Sequence, residues 1–98
     1  MPIRVLKRGS KGPFVAEMQK SLNTLAGFDL NIYAGNGSSR YPPLVEDGKY
    51  GKNTFRRVEE FQTWNPPLKV DGLIGPNTYA MITGLSWTAD LDRKAEAA

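Results

Sequence analysis

Apolar residues recur at three- and four-residue spacing in three stretches of the chain. Val15, Met18, Leu22 and Leu25 make the first stripe, Phe55, Val58 and Phe61 the second, and Tyr79 and Ile82 the third. That period marks amphipathic helices with one buried face. The first helix is expected to start at Pro13, since proline suits the first helical position, and to meet a left-handed cap at Gly27. The second starts around Lys52, with Arg56, Arg57, Glu59 and Glu60 mostly on its wet side. It ends near Trp64, because Pro66-Pro67 cannot continue a helix. The third starts at Pro76 and stops at Gly84.

The segments that lead into these helices resemble one another. Asp47-Gly48-Lys49-Tyr50-Gly51-Lys52-Asn53-Thr54 returns as Asp71-Gly72-Leu73-Ile74-Gly75-Pro76-Asn77-Thr78, with an aromatic residue, Phe55 or Tyr79, after each copy. A degenerate third copy, Gly9-Ser10-Lys11-Gly12-Pro13, keeps the glycine spacing. Self-similarity of this kind means that one structural unit is reused. The first glycine of each copy can take a positive φ that a β-carbon would penalise. Asp47 and Asp71 can bond the backbone of their own turn. The second glycine is an acceptable N-cap, with Thr54 or Thr78 in the first turn behind it. Tyr50 and Ile74, at the matching position, are expected in the core.

The fold class expected is all-α: a small three-helix bundle with glycine-rich turn–helix repeats and one long loop from Phe28 to Leu44. Residues 1–87 form the domain, and 88–98, alanine-rich and charged, suit a helix start, a tail or a linker. Loops as long as 28–44 in a small domain tend to be functional or mobile.

Composition narrows the function. In 98 residues there is no Cys and no His, which removes thiolate chemistry and the commonest metal ligand and general base near neutral pH. The net charge of +3 is mild and spread out, so it favours an anionic polymer without specifying nucleic acid. No apolar run approaches the ~20 residues of a membrane span. Met1 to Gly9 lacks the apolar core of a secretory signal. A calcium loop fails because the Asp-x-Asp-x-Asp-Gly run is missing. A phosphate loop fails because Gly51-Lys52-Asn53-Thr54 has neither the spacing nor a βαβ setting. Glu59-Glu60 reads as solvated charge rather than an acid–base pair. No catalytic residue, metal site or cofactor is expected. Tyr33, Tyr41 and Trp64 are hard to bury together, and exposed aromatic faces stack on sugars or bases. Trp64 and Trp87 could equally close the two ends of the core.

Leu6, Gly9, Gly12, Val15, Met18-Gln19 and Leu22 resemble the opening of the type 1 peptidoglycan-binding domain family. Glu46 to Thr54, Val58, Phe61-Gln62 and Val70 to Thr78 are similar to the rest of it, in order, over about residues 4 to 83. The resemblance implies a non-catalytic three-helix module that attaches a hydrolase to the bacterial wall, as in phage endolysins, amidases, muramidases and peptidases. Trp64-Asn65-Pro66-Pro67-Leu68 stands where the family usually has a basic residue or two and a glycine, and the 28–44 loop is longer than usual.

The expected role is therefore cell-wall binding by a monomer, with peptidoglycan glycan or stem peptide as partner and neither nucleic acid nor membrane. Met1, the missing signal and the trailing residues suggest the N-terminal module of a phage endolysin, acting at the wall after release from the cytoplasm. Ligand contacts are expected from Tyr41, Asp47, Lys49, Asn53, Arg56 and Trp64, in a shallow groove between the second and third helices and the glycine-rich turns. Basic groups would meet stem-peptide carboxylates, Asn53 would bond amides, and an aromatic face would cover a sugar. The first repeat is favoured, because it has Lys49 and Lys52 where the second has Leu73 and Pro76. The alternatives are a basic nucleic-acid binder using Arg56 and Arg57, and a protein-docking or scaffold module of an envelope or phage structural protein.

Overall fold

A computed structural model describes residues 5–27 and 39–98. Met1 to Arg4, Tyr33 and the loop from Phe28 to residue 38 lie outside the described residues. Among the described residues four helices follow in order: α1 (Pro13–Leu25), α2 (Lys52–Trp64), α3 (Pro76–Thr83) and α4 (Ala89–Ala97). The architecture is all-α, with one helix more than the sequence pattern suggests.

The three turn–helix units begin where the glycines place them. Gly12, Gly51 and Gly75 are the N-caps of α1, α2 and α3, and Pro13 and Pro76 open their helices. Gly84 closes α3 with φ +74°. Gly27, with φ +84°, follows the C-cap Ala26 of α1. The stripe of α1 needs one correction. Leu25 is 51% exposed, and Ala26 takes the inward place at the helix end.

Residues 6–12 run as a strap across both repeats, with a tight turn at Arg8 and Gly9. Leu6 exchanges two backbone hydrogen bonds with Ile74, at 2.9 and 3.0 Å. Further on, Gly9 N–H donates to Tyr50, Tyr50 N–H to Ser10, and Gly12 N–H to Gly48. The strap thereby satisfies backbone groups that the turns would otherwise bury unpaired. Gly48 and Gly72 share a positive φ, +74° and +73°. A Cβ on Gly48 would stand 2.8 Å from the Gly12 carbonyl oxygen, and one on Gly72 would overlap the Phe55 ring.

The core gathers Leu6, Val15, Leu22, Val58 and Ile74, all without solvent exposure, with Phe14, Met18, Tyr50, Tyr79 and Ile82 around them. Tyr50 and Ile74 thus point inward from the same position of the two repeats. α1 packs against both α2 and α3. Ala95 of α4 is buried in the core cluster, with Leu91 and Trp87 packed against that cluster. Thr88 caps α4 by accepting from Leu91 N–H, and Asp90 and Asp92 suit the positive end of the helix dipole.

Candidate functional site

Two buried glutamines hold the repeats in shape. On α1, Gln19 Nε2 donates to the Lys49 carbonyl at 2.9 Å, Thr54 Oγ1 at 3.1 Å and Asp47 Oδ1 at 3.3 Å. Its Oε1 accepts from Gly48 N–H at 2.9 Å. On α2, Gln62 Nε2 reaches the Leu73 carbonyl, Thr78 Oγ1 and Asp71 Oδ1, and its Oε1 accepts from Asp71 and Gly72 N–H. Each Asp also accepts from the N–H two residues on, Lys49 or Leu73, at 2.9 and 3.0 Å. The repeated Asp and Thr are therefore partners of a glutamine and fix the turn. Sequence reasoning quoted Met18-Gln19 and Phe61-Gln62 as part of the resemblance but gave neither glutamine a role. The signal is there: each repeat is preceded by an apolar-Gln pair on the helix before it.

One turn beyond Gln19, Asn23 clamps the end of the long connection. Its side chain donates to the Leu44 carbonyl at 2.9 Å and to Glu46, and it accepts from Leu44 N–H at 2.8 Å. On α2, Arg57 and Glu60 hold residues 39–40 of the same connection. Arg57 is 3% exposed and donates to the Leu22 carbonyl and to Glu60 Oε1. Glu60 in turn accepts from Ser39 Oγ and Arg40 N–H. The wet side expected for Arg57 and Glu60 is thus corrected: they tie α1, α2 and residues 39–40 together. Burial pulls the Arg57 guanidinium down from its usual range, and the Glu60 carboxylate opposes that pull.

Between residues 41–45 and the first turns of α2 lies an open concavity of about 560 Å³. Five of the six expected contact residues line it: Tyr41, Asp47, Lys49, Asn53 and Arg56. They meet between α2, the 41–45 segment and the first glycine-rich turn, and no residue of α3 lines the space. Lys49, Lys52, Asn53 and Arg56 are exposed, and Gln19 and Thr54 lie at the floor. The first turn of α2 has no side-chain cap, so its N–H groups and the positive end of the helix dipole face the same space as three cations. Asp47 is the counterweight. The Lys49 N–H, and after it the Gln19 amide, hold its carboxyl below the usual value, so it stays ionised at the rim.

The sixth residue, Trp64, is 72% exposed and lies outside this concavity. It borders a second one, of about 230 Å³, with Arg40, Thr63 and Val70; Tyr41 and Arg56 line both. The two tryptophans are resolved by their neighbours. Trp87 is half-buried, 5.5 Å from the Tyr79 ring and 5.9 Å from Phe14, whereas Trp64 makes no ring contact among the described residues.

The second repeat has the same backbone and different walls. Leu73, Pro76 and Ala80 occupy the places of Lys49, Lys52 and Arg56. Whatever the first repeat attracts by charge, the second cannot. Among the described residues no group of acidic side chains could hold a metal ion, and no helix is long and apolar enough to cross a membrane.

No curated protein matches the chain. The family model of the peptidoglycan binding domain matches residues 11–82, which takes in α1, both repeats and most of α3. The chain belongs to that family.

Proposed function

We propose that this domain anchors a peptidoglycan hydrolase to the bacterial wall and carries no catalysis of its own. The observation that supports the reading most is the convergence of Tyr41, Asp47, Lys49, Asn53 and Arg56 on one open groove. Open, shallow and basic, with fixed polar groups and one aromatic edge, it suits a segment of an extended polymer better than an enclosed small molecule. Peptidoglycan supplies matching chemistry: carboxylates along the stem peptide, amides throughout, and sugar rings with apolar faces. In this reading the chain works as a monomer in the cell wall or periplasm, as a module of an enzyme such as a phage endolysin. The rival use of α2 on nucleic acid loses a cation, since Arg57 is buried against Leu22 and Glu60.

Sedimentation with purified sacculi tests the reading. The protein is expected in the pellet, and its release by rising salt should be partial, because only the charged contacts are screened. Protein that stays wholly in the supernatant at low salt would overturn it.

A further inference from the structure

The two concavities along α2 differ in chemistry and share a border. Asn53, Arg56, Glu60 and Trp64 follow at three- and four-residue spacing, so they stand one above another on one face of the helix. At the start of that face lie the cations Lys49, Lys52 and Arg56 around the larger concavity. Near its end lies Trp64, an exposed indole with Arg40 and Thr63 beside it. Tyr41 and Arg56 line both spaces and join them.

We infer that the site divides its ligand: the cationic groove takes the stem peptide through its carboxylates, and the Trp64 platform takes a sugar ring of the glycan. This rests on the wall-binding reading above and adds an orientation to it. Distances agree with the division. From Lys52 to Trp64 the helix rises about 18 Å, at ~1.5 Å per residue. A stem peptide of three or four residues, extended at ~3.5 Å each, covers roughly 10 to 14 Å. A sugar seated on Trp64 therefore lets its peptide run back about 12 Å to Arg56, with its terminal carboxylate facing the next turn, which carries Lys52. Indole faces suit the apolar face of a pyranose, while Arg40 and Thr63 supply polar groups for its rim. The groove end suits a carboxylate and has no exposed indole. The mapping of Leu73, Pro76 and Ala80 onto the three cations leaves the second repeat without a peptide subsite.

Calorimetric titration with two soluble probes tests the division: peptide-free glycan oligomers and free stem peptide. Trp64→Ala should weaken glycan-oligomer binding roughly tenfold and leave the stem peptide within about twofold. The double variant Lys49→Gln/Lys52→Gln should do the reverse, with a loss of roughly five- to tenfold on the peptide, and only peptide binding should fall steeply with salt. A muropeptide carrying both parts should bind more tightly than either probe. Equal losses on both probes in either variant, or no measurable binding of either probe, would overturn the division. Sacculus sedimentation of the wild type separates the two failures. A protein that pellets but shows no such split refutes the division alone, and one that does not pellet refutes wall binding as well.

Discussion

Gln19 and Gln62 sit on different helices and make matching hydrogen bonds to the two Asp-Gly turns, each ending on the Thr that opens the next helix. One amide thus satisfies a turn carbonyl, a turn N–H, an Asp and a Thr at once. Removing it strands several of these buried groups, at about 1–3 kcal/mol apiece. Gln19→Ala and Gln62→Ala should each cost roughly 2–4 kcal/mol. For a domain of this size that lowers Tm by roughly 10 to 25 °C, readable by circular dichroism. A change of only a few degrees would contradict the bracing role.

Three glycines separate backbone strain from crowding. Gly84 has a positive φ and open space around its missing Cβ, so Gly84→Ala should cost about 1 kcal/mol. Gly48 adds the Gly12 carbonyl and Gly72 the Phe55 ring to the same φ. Gly48→Ala and Gly72→Ala should therefore cost more, about 2–4 kcal/mol. Chemical denaturation of the three variants would reveal the order, and equal losses would show that φ alone decides.

The tryptophans should part company in stability. Trp64→Ala removes an exposed ring and should leave Tm within about 2 °C. Trp87→Ala opens a gap beside Phe14 and Tyr79 and should cost about 2–4 kcal/mol. Intrinsic fluorescence offers a parallel readout, with Trp64 the quenchable residue of the pair.

Neighbouring arginines should diverge as well. Arg56→Gln should leave Tm nearly unchanged while weakening retention on sacculi at low salt. Arg57→Gln removes the charge that pairs with Glu60 inside the fold, and should cost about 3 kcal/mol or more. If both variants behave alike, the assignment of one to the groove and the other to the interior is wrong.

Acid should loosen the first repeat. The Asp47 carboxyl titrates lower in the folded chain than its ordinary value of 3.8, through the Lys49 N–H first. Its contribution is therefore fully present above that value and is lost as the pH falls through the lowered folded pKa. Thermal melts of the wild type between pH 5 and roughly pH 2 should fall more steeply than those of Asp47→Asn, whose side chain does not titrate in that range.

Much of this fold is legible in the sequence because local chemistry dictates it. Pro13 and Pro76 can only open helices, glycine fits the positive φ at Gly48 and Gly72, and Asp47 and Asp71 bond their own turns. The rest depends on partners far along the chain. Gln19 reads as one more polar residue on a helix until the fold brings Asp47 to Thr54 against it. Arg57 is drawn inside by the Leu22 carbonyl and Glu60, which no periodicity announces. Trp64 and Trp87 look alike as letters, and only the position of Phe14 and Tyr79 decides which is covered. The groove follows the same rule: Asn23 holds Leu44, and Tyr41 comes to line one concavity with the first turn of α2, a meeting that no spacing in the sequence announces.

The pairing of Leu6 with Ile74 also bears on the order in which the molecule is made. A ribosome delivers Leu6 before either repeat and Ile74 only 68 residues later (74 − 6), and long-range closures of this kind slow folding. Until then the strap has half its partners, and the core that it shuts stays open to water. A segment made before both repeats is thus among the last to lock, and a chain halted before the second repeat leaves Leu6 without its backbone partner.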